Sequence, residues 1–234
     1  MESKILVIIP TYNEIENIEN IVAEVFKYVP TANILVVDDN SPDGTGAAVE
    51  KLSEKDDRVR LIMRPGKLGL GTAYITGFQY AIENEYDYIF EMDADFSHNP
   101  AHMPRFLDAI KGADLVIGSR YISGGGIENW SIFRKLVSRC GSLYSRLLLS
   151  VPYNDLTGGF KCFRRKALQA IPLEEIQSEG YAFQIEVTYR THKRGFLIKE
   201  IPILFADRRG GHSKMSWKIF FEAIYRVWQM RFTI

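Results

Sequence analysis

Cysteine is scarce in this chain. Cys140 and Cys162 are the only two in 234 residues, and their spacing matches neither a metal knuckle nor a redox pair. Disulfides are thereby excluded as the framework, and a reducing compartment fits. Histidine is nearly as rare, at four, and neither His-Glu-x-x-His nor Gly-x-Ser-x-Gly occurs, which disfavours zinc and serine hydrolases. Net charge is missing: 29 Lys and Arg balance 29 Asp and Glu, so there is no global field to hold a nucleic-acid backbone, and no nucleic-acid partner is expected. No stretch approaches the roughly 18 apolar residues of a membrane span. The N-terminal run Ile5–Pro10 is one strand long, follows Glu2 and lacks a cleavage site. The expectation is a chain that neither crosses a membrane nor is exported by an N-terminal signal. Internal repeats and low-complexity tracts are also lacking.

What is present is a globular composition, 46% hydrophobic and 25% charged. Residues 1–121 alternate short β-rich runs with amphipathic segments, the pattern of βαβ units around a mostly parallel sheet with flanking helices. Strands are expected at Lys4–Pro10, Asn33–Asp39, Arg58–Arg64, Tyr86–Ala94 and Asp114–Tyr121. Helices are expected at Glu14–Tyr28, Gly46–Lys55 and Gly71–Glu83 from apolar residues at helical spacing. Beyond 121, Ile132–Leu149 reads as a helix with one apolar stripe (Phe133, Leu136, Val137, Cys140, Leu143, Tyr144, Leu147, Leu148) and Arg134, Ser138 and Arg139 opposite. A helix over 179–194, a strand over Phe196–Phe205, a basic loop Asp207–Lys214 and a final amphipathic helix Ser216–Arg231 complete the chain.

Ligands of open α/β sheets bind beyond the carboxyl ends of the strands. The second expected strand ends in Val36-Val-Asp-Asp39 and the fourth in Met92-Asp-Ala-Asp95, so two acidic pairs fall on that edge. If strand geometry continues, Asp93 and Asp95 face one side and can hold a hard divalent cation. Two carboxylates leave most of a coordination shell to be filled, and diphosphate oxygens suit it. A lone Asp-x-Asp is more often a solvated turn; the strand-end context favours metal. The glycines at 66, 69 and 71 fit neither a dinucleotide fingerprint nor a phosphate loop, which disfavours nicotinamide and flavin chemistry.

Pro10-Thr-Tyr-Asn-Glu14, Val37-Asp-Asp-Asn-Ser-Pro-Asp-Gly-Thr45, Lys67-Leu-Gly-Leu-Gly-Thr-Ala-Tyr74 and Met92-Asp-Ala-Asp95 resemble the GT-A inverting glycosyltransferases of family 2. Gly118-Ser-Arg-Tyr121, Leu156-Thr-Gly-Gly-Phe160, Gly180-Tyr-Ala-Phe-Gln-Ile-Glu186, Asp207-Arg208 and Ser213-Lys214 narrow the resemblance to dolichyl- or polyprenyl-phosphate mannose synthases, over roughly residues 4–215. The resemblance implies a GT-A (Rossmann-like) α/β fold. It implies a base and ribose pocket at Pro10, Tyr12, Glu14, Val37 and Asp39, and a Mg²⁺- or Mn²⁺-bridged diphosphate at Asp93, Ala94 and Asp95. Arg120, Arg208 and Lys214 would contact substrate phosphates, and Arg134 with Ser138, one helical turn apart, would hold the lipid phosphate. Asp95, Arg120 and Arg134 are the expected catalytic residues. Some relatives place a glutamine two residues after the second metal Asp; this chain has Ser97 there, leaving that position to the serine hydroxyl or to water.

The implied reaction moves mannose from GDP-mannose to a polyprenyl phosphate with inversion. An acceptor phosphate with a second pKa near ~6 needs no general base, and Glu186 ranks low as one. Alternatives are another donor such as UDP-glucose, or a non-catalytic sugar-nucleotide-binding module. An isoprenoid acceptor implies work at a membrane surface, on its cytoplasmic face. The division is then a GT-A domain over 1–215 and a C-terminal helix over 216–234 as a candidate membrane-interface element. Its stripe of Trp217, Phe220, Phe221, Ile224 and Trp228 fits core packing equally well. Some relatives use a separate membrane-anchoring subunit; others carry transmembrane segments.

Overall fold

The computed structural model describes residues 3–206 and 217–234, the latter by backbone alone over 217–223. The chain runs β1 (Ile5–Thr11), α1 (Ile18–Tyr28), β2 (Ala32–Asp38), α2 (Thr45–Lys55), β3 (Val59–Met63), α3 (Leu70–Glu83), β4 (Tyr88–Glu91) and α4 (Met103–Ala109). It continues with β5 (Leu115–Ser119), β6 (Gly126–Ile127), α5 (Ile132–Leu149), β7 (Lys161–Arg164), α6 (Arg165–Gln169), α7 (Gly180–Lys193), β8 (Ile198–Pro202), β9 (Leu204–Phe205) and α8 (Trp217–Thr233). The main sheet has the order β3-β2-β1-β4-β7-β5-β8. All its pairings are parallel except those of β7, which lies antiparallel between β4 and β5. A small parallel pair, β6 with β9, stands apart.

Alternation along the strands divides the core between the two faces of the sheet. Leu6 and Ile8 of β1 join Leu35 and Val37 of β2 against Phe78 of α3 and Phe183 of α7. Val7 and Ile9 join Ile34 and Val36 against Ile21, Val22 and Val25 of α1. The expected short β-rich runs, apolar throughout, are thus covered on both faces by helices of period 3.6. The approach of α3 to β1 depends on Gly77, where a Cβ would stand 2.5 Å from Ile8 Cγ2.

Four expectations need correction. The fourth strand stops at Glu91, so Asp93 and Asp95 lie on a turn and not on alternating strand positions. The run Phe196–Phe205 splits at Ile203 into β8 and β9, which join different sheets. Strand β7 was not anticipated: its four residues Lys-Cys-Phe-Arg carry a lysine that is fully buried, which no hydrophobic pattern predicts. The fourth concerns α5, which spans the expected range but whose expected apolar stripe is split between interior and surface. Ile132, Leu136, Leu143 and Leu147 are exposed, at 86%, 59%, 52% and 69%, whereas Ser142 and Ser145 are buried. Tyr144 and Leu148 of the same stripe pack against the core and Val137 lines an apolar cavity, so the helix buries two serines beside half of its apolar side and leaves the other half outward.

Helix α8 packs on α5 and α7. Val227 and Met230 are buried there, and Tyr144 Oη donates to the Ile224 carbonyl at 3.2 Å. Tyr225, Trp228 and Phe232 remain exposed. No helix among the described residues is long and apolar enough to cross a membrane.

Candidate active site

A cavity of about 310 Å³ opens over the carboxyl ends of β1, β2 and β4. Turns leaving these strands place Asn13, Asn40 and Phe96 at φ of 60°, 54° and 63°. Asparagine tolerates that region; phenylalanine does so rarely, and here it separates Asp95 from Ser97.

Pro10, Tyr12, Glu14 and Asp39 all line the cavity. Lys67 Nζ sits 4.4 Å from the centre of the Tyr12 ring, and Glu14 accepts from Asn17 Nδ2 at 2.8 Å. Asp39 is buried against Arg64, whose Nε donates to Oδ1 at 2.5 Å, while Oδ2 accepts Leu68 N–H at 3.0 Å. Its carboxylate thus fastens the 67–70 loop to the end of β2. The turn after β2 is closed instead by Asp38, which accepts from Ser41 N–H, Ser41 Oγ and Thr11 Oγ1. Val37 does not line the cavity: its side chain is wholly buried in the core behind β2, because the strand alternates it away from Asp38.

Asp93, Ala94 and Asp95 line the same cavity. Asp93 Oδ1 accepts from Tyr74 Oη at 3.2 Å, and the Asp93 N–H donates to His98 Nδ1 at 3.0 Å. Burial depresses the His98 pKa despite the neighbouring acids, so the ring is a neutral acceptor at Nδ1. Asp95 Oδ1 accepts Ser97 N–H at 3.0 Å, closing the turn. Ser97 Oγ is buried without a hydrogen-bond partner among the described residues. Among these residues no three His, Cys, Asp or Glu side chains form a protein-only cation cage. Asp93 and Asp95 bring two carboxylates to one cavity, a donor type that suits a hard cation.

Beneath this turn lies a buried group that the sequence did not reveal. Glu91 pairs in register with Lys161 across β4 and β7. Lys161 Nζ donates to the main-chain and side-chain oxygens of Gln184 on α7, a residue that also lines the cavity. Burial pushes the Glu91 carboxyl up to about 7 and brings Lys161 down to about 8.

Arg120 reaches the cavity wall from the end of β5, and its fork is already occupied. Nε and Nη2 donate to Asp155 at 2.7 Å each, and Nη2 also to Thr157 Oγ1 at 2.8 Å. Burial opposes both charges and their mutual attraction outweighs it, so the Arg120 pKa is raised and that of Asp155 lowered. Arg134 lies in the first turn of α5, which Ser131 caps, and its guanidinium stacks 3.8 Å from the centre of the Trp130 ring. A second, apolar cavity of about 70 Å³ runs between α5, α7 and α8. Ser138 lines it and accepts from Tyr121 Oη at 2.7 Å. Trp130, Arg134, Thr157 and Tyr181 border both cavities. Arg208 and Lys214 fall outside the described residues. Glu186 borders neither cavity and accepts from Arg190 Nε at 2.9 Å.

His98, Trp130, Asp155, Thr157, Tyr181 and Gln184 escaped residue-level reading. Asp155 directly precedes the Leu156–Phe160 motif, and that adjacency was the available signal.

A turn with two aspartates thus sits over a Rossmann-like sheet, beside an apolar cavity that has Arg134 on its lining. The family model for glycosyl transferase family 2 matches residues 6–171, and the chain belongs to that family. It is 46% identical over 224 residues to the undecaprenyl-phosphate mannosyltransferase of Micrococcus luteus, covering 96% of this chain and 92% of that protein. It is 47% identical over 230 residues to the polyprenol monophosphomannose synthase of Mycolicibacterium smegmatis, covering 97% and 87%. Among solved structures, glucosyl-3-phosphoglycerate synthase from Mycobacterium tuberculosis, in complex with Mn²⁺, UDP and phosphoglyceric acid, superposes with a TM-score of 0.70 at 17% identity. It covers 98% of this chain and 79% of that one. The last comparison shows the GT-A fold.

Proposed function

We propose that this glycosyltransferase moves mannose from GDP-mannose to a polyprenyl phosphate, giving the β-linked mannosyl phosphate and GDP. The observation that carries this reading is the pair of cavities with a common wall. One carries charged side chains on its wall, Asp93 and Asp95 among them; the other is apolar, with Arg134 and Ser138 on its lining. The donor's nucleotide lies along Pro10, Tyr12 and Glu14, and Asp39 acts by fixing the 67–70 loop. Asp93 and Asp95 would hold Mg²⁺ or Mn²⁺, which when bound would supply counter-charge to the diphosphate. Arg134, with its guanidinium plane set by Trp130, and Ser138 orient the acceptor phosphate for attack. That phosphate is already ionised at neutral pH, so no side chain need remove a proton. Arg120 offers its remaining nitrogen at the junction. Arg208 and Lys214 are assigned to the substrate phosphates by resemblance alone.

The exposed face formed by Ile132, Leu136, Leu143 and Leu147 of α5 and Tyr225, Trp228 and Phe232 of α8 meets the bilayer surface. On this reading residues 1–215 form the transferase domain and 216–234 the interfacial helix, peripheral on the cytoplasmic side. An anchoring subunit would dock on the same face.

The test is transfer itself. The purified chain is incubated with radiolabelled GDP-mannose or UDP-glucose, Mg²⁺ or Mn²⁺ and an undecaprenyl phosphate, and the lipid fraction is counted. Label from GDP-mannose is expected. Label from UDP-glucose alone would replace the donor assignment, and label from neither would reject the reading.

A further inference from the structure

Arg120 and Asp155 form a buried ion pair in the wall of the donor cavity. Three of the acid's interactions go to this arginine: its Oδ2 accepts from Arg120 N–H at 2.9 Å and from Nε, and its Oδ1 from Nη2. Of the guanidinium nitrogens, only Nη1 has no hydrogen-bond partner among the described residues. The arginine is also enclosed laterally, with the Tyr121, Trp130 and Phe205 rings centred 5.2, 5.8 and 5.3 Å from its central carbon. Behind the pair, Glu200 of β8 holds the segment that carries the acid. Its Oε1 accepts Asp155 N–H, and its Oε2 accepts Asn154 N–H and Nδ2, all at 2.9 Å. From the other side Arg146 of α5 donates to Asn154 Oδ1 at 2.8 Å.

We propose that Asp155 is a positioning residue for the transfer reaction: it takes two nitrogens of Arg120 and leaves Nη1 as the single one presented to substrate phosphate, with Glu200 holding Asp155 in place. The inference rests on the reading above, in which Arg120 contacts substrate phosphate. An isolated buried ion pair is a poor device for stability, since apolar replacements often do as well. At a cavity wall it has a second effect. It fixes the rotamer of a long side chain before substrate arrives, so no ordering is left for the bound state. It also cancels the charge of Arg120 locally, so phosphate meets a donor of fixed direction rather than a mobile cation that could grip it with both prongs. Glu200 extends the same constraint to the edge strand of the sheet, more than thirty residues on in the chain and away from the acidic turn.

The experiment compares Asp155→Asn and Glu200→Gln with the wild type, measuring kcat for mannosyl transfer, GDP affinity by calorimetry with Mn²⁺, and Tm. Asp155→Asn should lower kcat about 100-fold while GDP affinity changes less than about threefold, the signature of lost orientation and not of lost binding. Glu200→Gln, which leaves both charges of the pair intact, should lower kcat about tenfold with Tm near wild type. In an Arg120→Lys background Asp155→Asn should cost nothing further, because the acid acts only through the arginine. Wild-type kcat in Glu200→Gln, or losses that multiply in the double variant, would overturn the proposal. If Asp155→Asn does not fold, Glu200→Gln alone decides by the same criterion. A wild-type protein that transfers no mannose would reject the functional reading instead, a separate result.

Discussion

His98 Nδ1 accepts the Asp93 N–H at 3.0 Å, so an imidazole ring props the turn on which both cavity aspartates sit. The ring is held in turn by Phe160, stacked with centres 5.2 Å apart, and by the edge of Phe205. An acceptor at that point matters more than a base, because the bond runs from the backbone to a neutral ring nitrogen.

His98→Asn should therefore keep more activity than His98→Phe, since only the amide can accept from Asp93 N–H. A loss of about 1 kcal/mol in metal-dependent GDP affinity is expected for Phe and less for Asn. Titration calorimetry in Mn²⁺ checks this, and equal losses in the two variants would show that the ring acts by packing alone.

Arg134→Lys keeps the charge but gives up the planar stack on Trp130 and the paired donors. The KM for polyprenyl phosphate should rise about tenfold, with GDP-mannose affinity little changed. If instead GDP-mannose binding is lost and acceptor KM is steady, Arg134 belongs to the donor.

Glu91 carries a pH signature in stability. Burial holds its carboxyl up at about 7, against an ordinary 4.5, although Lys161 pulls the other way. Between those values the unfolded chain has released the proton and the folded chain has not. The contribution is complete below the lower value and gone above the upper one, so stability falls as pH rises through that window, by at most about 1.4 kcal/mol per unit. Lys161, lowered to about 8 from 10.5, acts with the opposite slope and only above its folded value. Urea denaturation of wild type and Glu91→Gln at several pH values should show the first slope in the wild type and a flatter line in the variant.

Gly77→Ala would place a methyl 2.5 Å from Ile8 Cγ2, so α3 or β1 must give way. A loss of about 1–3 kcal/mol is expected. A urea midpoint equal to wild type would mean that α3 shifts freely, contrary to its packed position.

The continuous apolar runs of Ile5–Thr11 and Ala32–Asp38 and the helical spacing of α1 made the first half of the fold readable, because there local pattern and burial agree. The acidic pairs were legible for the same reason: polar residues at the ends of apolar runs are exceptional. Lys161 and Glu91 were not, since burial of a charge is decided by a partner distant in sequence. The orientation of α5 was also hidden. Its apolar stripe is real, but sequence periodicity cannot say whether such a stripe meets a core or faces outward. Asp39 and Arg120 both line the cavity, yet their intramolecular partners, Arg64 and Asp155, emerge only once the chain is folded.

The reversed strand β7 has a consequence for synthesis. Strands β4 and β5 are not paired with each other; in the sheet Lys161–Arg164 lie between them, and these follow β5 only after β6 and α5. A nascent chain leaving the ribosome can pair β1, β2, β3 and β4 in order, but it exposes one open edge of β4 until β7 emerges. The strand leading to the acidic turn is thus bridged to the far half of the sheet late. A ribosome stalled before Lys161 would present that edge, with Glu91 uncovered, to any chaperone waiting at the exit.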